Sequence, residues 1–175
     1  FYLRSTHCFG ATKTPKTVLE IGSGYGALAR IFKLLQNTGT VILVDLPESL
    51  FYAQIFLSLN FPDKKMKYIS DELSSNDNIT DYDFVLVPVQ YCHTLRDQPV
   101  DITINTGSLQ EMPDKAVEFW MNFIQNTIRT DFFYSWNYFL TNKRLFSETS
   151  GEKANLICPG LDPFWDLKYF KINPE

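Results

Sequence analysis

Residues 17–26 read TVLEIGSGYG: an apolar run, an acid at Glu20, and glycines at every second position from Gly22 to Gly26. An amphipathic pattern begins directly after the last glycine. A Cβ at these positions would block both a tight turn and the close approach of a ligand to the backbone. The spacing therefore predicts a buried parallel strand that turns sharply into a helix over a bound nucleoside.

Strand patterns and helix patterns alternate along the rest of the chain, which predicts an α/β fold with a mostly parallel sheet. Apolar runs predict further strands at 40–45, 67–69, 84–89, 100–105 and 132–136. The tail alternates apolar and polar residues over 164–172, which predicts an antiparallel strand at the sheet edge. In such sheets, ligands bind at the carboxyl ends of the strands, near the point where the strand order reverses.

Three amphipathic helices are predicted between the strands. The first follows the glycines, and the third follows Pro113. The second begins near Pro47, because proline suits the first turn of a helix. Its expected buried side chains are Leu50, Phe51, Ile55 and Leu59. The expected apolar stripe of the third helix is Val117, Trp120, Phe123, Ile124 and Ile128.

Length and composition predict one cytoplasmic domain over residues 1–175. The formal net charge is -4 with no basic stripe, which argues against nucleic acid as the partner. Cys8, Cys92 and Cys158 are widely spaced and odd in number, as expected for reduced thiols. No apolar run is long enough to cross a membrane.

The first residue is Phe1 rather than Met, and the chain opens on apolar residues. We therefore expect a fragment that lacks an N-terminal part and possibly a C-terminal part. Residues 1–14 are expected to form a lead or lid segment over the site.

Two ligand classes fit the glycine turn. Residues 22–27 satisfy the looser dinucleotide pattern, and Asp45 lies where a ribose-binding acid is expected. Glu20, however, places a carboxylate where a pyrophosphate would be repelled. S-adenosylmethionine has no phosphate and carries an ammonium and a sulfonium group. The sequence thus favours S-adenosylmethionine, with an NAD(P)-dependent oxidoreductase or a non-catalytic module as alternatives.

Two further strings narrow this interpretation: VDLPE at 44–48 and NTGSLQEM at 105–112. Together with the glycine turn, they resemble the sugar O-methyltransferase family. The resemblance runs from about Pro15 to the C-terminus. It implies a Rossmann-like class I methyltransferase sandwich. It also implies S-adenosylmethionine-dependent methyl transfer to a hydroxyl of a sugar or glycan intermediate in polysaccharide biosynthesis.

The resemblance also implies a cofactor site. The glycines would line the methionine and ribose parts of the cofactor, Asp45 would hold the ribose hydroxyls, and Leu46 would touch the adenine. The full expected cofactor set is Glu20, Gly22, Ser23, Gly24, Gly26, Asp45, Leu46, Gln90 and Asn105.

A sugar hydroxyl is a poor acid, so methyl transfer calls for a general base. Glu111 is the first candidate, with the alternative that it only stabilises the start of the helix after Pro113. His93 is the second candidate, because histidine titrates near neutral pH. The expected acceptor-binding residues are Ser108, Gln110 and Trp136. The sequence shows no compact set of metal ligands, so no metal is predicted.

Overall fold

The computed structural model describes residues 16–35, 38–70, 78–128 and 130–137. Within them, six strands form one sheet in the order β3-β4-β2-β1-β5-β6. The strands are β1 Lys16–Ile21, β2 Thr38–Asp45, β3 Met66–Tyr68, β4 Phe84–Pro88, β5 Ile102–Thr106 and β6 Phe132–Trp136. Every pairing between these strands is parallel, which confirms the mostly parallel α/β sheet. The antiparallel strand predicted at 164–172 lies outside the described residues.

Helices connect the strands as the sequence predicts. They are α1 Ala27–Leu35, α2 Pro47–Asn60 and α3 Asp114–Asn122, and α3 continues as a π-helix over Phe123–Ile128. The 3₁₀ turns are Ile79–Asp81, Val89–Leu95 and Leu109–Glu111. None of the helices in the described ranges is long and apolar enough to cross a membrane.

The central strands of the sheet are buried on both faces, as is typical of a parallel sheet covered by helices. Alternate residues of β1 show this division: Val18 joins the core on one face, while Leu19 and Ile21 join the core on the other. On the first face the strands pack against α1 and α2. On the second face they pack against α3 and its π-helical continuation. The predicted apolar stripe of this helix is buried, and four of its five residues belong to the core on this face: Trp120, Phe123, Ile124 and Ile128. Val117 is buried but lies outside this core.

The predicted buried side of α2 is mostly wrong. Leu50 is buried as expected, but Phe51, Ile55 and Leu59 are 58%, 46% and 79% exposed. The helix instead packs through Leu50, Ala53 and Leu57. Because α2 is apolar around most of its circumference, hydrophobic periodicity does not determine which face is buried.

The amino ends of β1 and β5 are joined by Asp101. Its carboxylate accepts a hydrogen bond from the Thr17 amide at 2.7 Å and forms an ion pair with Lys16 at 2.8 Å. Asp101 thus lies at the edge of the sheet opposite the glycine turn.

Candidate functional site

The strand order reverses beside β1, because β2 lies on one side of it and β5 on the other. This switch point is where parallel α/β sheets bind ligands. At the carboxyl edge, the glycine turn follows β1, Asp45 ends β2, and the 3₁₀ turn Val89–Leu95 follows β4. Residues 107–111 follow β5, and Trp136 ends β6. The topology therefore brings every predicted site residue to one edge of the sheet.

The glycines of the turn differ in their surroundings. Gly22, Gly24 and Gly26 have φ values of 74°, 54° and 85°, in a region that side chains rarely adopt. A Cβ on Gly24 would meet nothing within 4 Å, so the backbone there faces open space. A Cβ on Gly26 would lie 3.2 Å from Leu57 of α2. A ligand can therefore approach the backbone at Gly24, whereas Gly26 allows close packing of the turn on α2.

Asp45 connects the glycine turn to the start of α2. Its Oδ2 accepts a hydrogen bond from the Gly24 amide at 2.7 Å, and its Oδ1 accepts one from the Leu46 amide at 2.7 Å. Each carboxylate oxygen retains a second lone pair, and the side chain is only partly buried. Asp45 can therefore hold the turn and still accept hydrogen bonds from hydroxyl groups, beside a Leu46 side chain that is 57% exposed.

Glu20 is buried beneath the turn. Its side chain is 2% exposed, and its Oε2 has no hydrogen-bond partner. Burial raises the pKa of Glu20 to about 8, and the nearby Asp45 carboxylate adds to this rise. Glu20 is therefore mostly protonated at neutral pH. The repulsion of a pyrophosphate that the sequence analysis assigned to Glu20 is consequently weakened at neutral pH.

Ser23 is a second buried polar group of the turn, and its Oγ also has no hydrogen-bond partner. Buried polar atoms normally find a partner in protein, water or ligand. The open space at Gly24 together with the unpaired Glu20 and Ser23 oxygens fits a polar ligand, or water held with it, at this turn.

Asn105 is fully buried at the end of β5. Its Nδ2 donates to the Ile21 carbonyl at 2.8 Å and to Ser108 Oγ at 2.5 Å. Its Oδ1 accepts hydrogen bonds from the Leu109 amide at 3.3 Å and from Asn137 Nδ2 at 2.8 Å. These contacts use the two donors and two lone pairs of the side-chain amide. The geometry therefore favours a structural role for Asn105 over the predicted direct contact with a cofactor.

The predicted acceptor residues and candidate bases lie around the same edge but differ in exposure. Ser108 Oγ lies 3.3 Å from the Ile21 carbonyl, so its hydroxyl is engaged with the turn. Glu111 and His93 are exposed, in the 3₁₀ turns after β5 and β4. Trp136 is 60% exposed. Gln110, a predicted acceptor-binding residue, is partly buried, and Gln90, a predicted cofactor-binding residue, is exposed.

Asn137 is a residue of this edge that the sequence analysis did not identify. Its Nδ2 donates to Asn105 Oδ1 and to Ser135 Oγ, each at 2.8 Å, and its Oδ1 accepts from the Gln110 amide at 3.3 Å. The sequence could have indicated Asn137, because it lies directly after a predicted strand and therefore at the carboxyl edge of the sheet.

Among the described side chains, no group of three or more His, Cys, Asp or Glu residues could hold a metal ion.

No family model matches the sequence, and no curated protein matches it. Among solved structures, the methyltransferase domain of a bacterial Hen1 (CtHen1-C) is similar with a TM-score of 0.50, at 14% identity over 74% of this chain and 56% of that domain. The ribosomal protein L11 methylase from Lactobacillus delbrueckii subsp. bulgaricus has a TM-score of 0.44, at 20% identity over 82% of this chain and 62% of that one. The cyclopropane synthase MmaA2 from Mycobacterium tuberculosis has a TM-score of 0.39, at 16% identity over 68% of this chain and 36% of that one.

These similarities concern the fold. The chain has the α/β Rossmann-like fold of class I methyltransferases. It spans a little over half the length of the Hen1 domains that it matches. None of the three proteins is described as a sugar O-methyltransferase, so the acceptor class predicted from the sequence is a matter for proposal.

Proposed function

We propose that the protein is an S-adenosylmethionine-dependent O-methyltransferase. The observation that carries this proposal is the glycine turn at the switch point of a methyltransferase-like sheet. Its backbone is open at Gly24, and Asp45 is bonded to the Gly24 amide. Cofactor recognition would then need only the glycine turn, Asp45 at the end of β2 and the neighbouring side chains at the same edge of the sheet.

S-adenosylmethionine, when bound, supplies a methyl group already activated on a sulfonium. The chain would bind it through Gly24, whose bare backbone admits the ligand, and through Asp45, whose free lone pairs accept ribose hydroxyls. The exposed Leu46 would flank the adenine, and Gln90 after β4 would meet its edge. The unpaired oxygens of Glu20 and Ser23 would complete the polar contacts beneath the turn.

A sugar or glycan intermediate of polysaccharide biosynthesis in the cytoplasm is the proposed acceptor. This rests on the resemblance of residues 105–112 and 44–48 to sugar O-methyltransferases. The exposed indole of Trp136 is suited to stacking on a sugar face, because it presents apolar area beside a polar N–H. Gln110 would contribute hydrogen bonds, whereas the Ser108 hydroxyl already binds the turn.

The residues of this chain must align the acceptor hydroxyl with the methyl group and remove one proton. Glu111 is the proposed general base, since it lies on the acceptor side of the edge and its carboxylate is exposed. His93, exposed in the turn after β4, is the second candidate.

An NAD(P)-dependent oxidoreductase is the second candidate function. One observation keeps it open: Glu20, with its pKa raised by burial to about 8, is mostly uncharged at neutral pH and would repel a pyrophosphate only weakly. The dinucleotide fingerprint at 22–27 is then electrostatically acceptable, and direct binding must decide between the cofactors.

The proposal is tested by methyl transfer from methyl-labelled S-adenosylmethionine to a panel of free sugars and nucleotide sugars. We expect label in a sugar fraction and none when the protein is omitted. Label that appears only in added protein or RNA would overturn the sugar acceptor and retain the methyltransferase.

Replacing Asp45 with Ala should weaken S-adenosylhomocysteine binding by about 1–3 kcal/mol, because hydroxyl groups would lose a charged acceptor. This corresponds to an affinity about 5- to 150-fold lower in a calorimetric titration. The matched control is Glu48→Gln, which removes a negative charge from an exposed position three residues away. Equal losses in both variants, or unchanged affinity in Asp45→Ala, would remove Asp45 from the site.

A further inference from the structure

We propose that Asn105, Ser108 and Asn137 act as positioning residues for the cofactor, by clamping the first peptide group of the glycine turn. We call these three residues the amide clamp. The inference rests on the proposed function for its ligand, and on the contacts of the described residues for its geometry.

The clamp acts on the peptide group between Ile21 and Gly22. The carbonyl of this peptide accepts hydrogen bonds from Asn105 Nδ2 at 2.8 Å and from Ser108 Oγ at 3.3 Å. Its N–H donates to the Val44 carbonyl at 2.8 Å. Because the two ends of one peptide group are bonded to neighbouring strands, its plane cannot rotate without breaking these bonds. The direction in which the turn leaves β1 is therefore set.

Ser108 also fills the space beside Gly22. A Cβ on Gly22 would lie 2.0 Å from Ser108 Oγ and 2.4 Å from Ser108 Cβ, far inside van der Waals contact. A Cβ on Gly24 would meet nothing within 4 Å. The two glycines therefore serve different purposes. The absence of a side chain at Gly22 lets Ser108 pack against the turn, whereas the absence of one at Gly24 leaves room for the ligand.

Asn137 extends the clamp to the segment that is proposed to bind the acceptor. Asn137 bonds Asn105 Oδ1 through its Nδ2 and receives the Gln110 amide on its Oδ1. Gln110 directly precedes Glu111, the proposed base. The clamp thus links the turn that would hold the cofactor to the segment that would hold the acceptor, so it sets their relative position.

The test is a double-mutant cycle of Gly22→Ala and Ser108→Gly, read by S-adenosylhomocysteine affinity and by melting temperature. We expect Gly22→Ala to lower affinity by about 10-fold or more, the scale of overpacking a filled site. Ser108→Gly alone should cost about 3-fold, the scale of one neutral hydrogen bond. In the double variant the collision is absent but the strain of a side chain at φ 74° remains, so affinity should recover in part toward that of Ser108→Gly, which is a non-additive effect.

A second pair of variants separates positioning from general loss of structure. Asn105→Asp keeps the shape but places an oxygen against the Ile21 carbonyl, so we expect affinity to fall about 10-fold or more, as when a buried acceptor loses its donor. The control is Thr103→Val, two residues earlier in β5, whose buried hydroxyl has no partner. It should leave affinity unchanged.

The outcomes distinguish the two proposals. Additive effects of Gly22→Ala and Ser108→Gly on affinity, in a protein that binds S-adenosylhomocysteine, would overturn the clamp alone. Absence of binding by the unsubstituted protein would overturn the proposed function and with it the clamp's role for a cofactor. In that case, coupling in melting temperature would still show that Ser108 collides with a side chain at Gly22.

Discussion

Replacing Glu20 with Gln is expected to remove the contribution of Glu20 to the pH dependence of stability between about pH 4 and pH 8. Burial raises the pKa of Glu20 in the folded state to about 8, whereas an exposed glutamate titrates near 4.3. Between these values the folded state binds more protons than the unfolded state. The stabilising contribution of the protonated side chain is fully present below the unfolded pKa and is lost as pH rises through the folded pKa.

The size of this effect follows from the width of the window. At about 1.4 kcal/mol per pKa unit, the free energy of unfolding should fall by on the order of 5 kcal/mol across it. Gln keeps the shape and carries no proton to lose, so the advantage of Glu20→Gln over the unsubstituted protein should grow as pH rises. Urea unfolding at pH 5, 6, 7 and 8 measures the difference directly.

The control for this experiment is Val18→Ala, two residues earlier on the same buried face of β1. It removes apolar volume without a titratable group, so its cost should be the same at every pH. A stability difference between Glu20→Gln and the unsubstituted protein that stays constant over the window would contradict a protonated Glu20. It would also restore the electrostatic argument against a pyrophosphate.

Glu111→Gln is expected to lower turnover by about 100-fold or more, the range of general-base catalysis, with S-adenosylhomocysteine affinity near that of the unsubstituted protein. Gln preserves the size of the side chain but cannot take a proton from the acceptor. The measurement compares kcat with a labelled methyl donor and the acceptor identified in the sugar panel.

Two further variants test which residue removes the proton from the acceptor hydroxyl. Glu118→Gln changes an exposed acid on α3 and should leave turnover unchanged. Full turnover in Glu111→Gln with loss in His93→Gln would transfer the role of base to His93. Full turnover in both Glu111→Gln and His93→Gln would leave Glu111 with the alternative role given in the sequence analysis, an acid that stabilises the start of α3.

Most of the sheet could be predicted from the sequence because its signals are local. The strand at 132–136 has the bounds predicted for it, and β4 ends at Pro88, where proline lacks an amide for the ladder. The buried face of α2 could not be predicted in this way. The helix packs through Leu50, Ala53 and Leu57, and this choice depends on the fit between the helix and the sheet, which a local pattern does not contain.

The grouping of the predicted site residues was also predictable, since the glycine spacing and the switch-point rule both point to one edge of the sheet. The roles of individual residues were not. Asn105 bonds the carbonyl of Ile21, which is 84 residues earlier in the chain. Glu20 changes protonation because of burial that only the folded sheet creates. Such roles arise from contacts between distant segments, which a pattern of residue types does not contain.

We propose that the turn at Gly22 to Gly26 binds S-adenosylmethionine. A calorimetric titration of this chain with S-adenosylhomocysteine, with NAD(H) titrated in parallel, tests this binding. We expect saturable binding of S-adenosylhomocysteine and none of NAD(H). Saturable binding of NAD(H) without S-adenosylhomocysteine would contradict this proposal and identify the turn as a dinucleotide site.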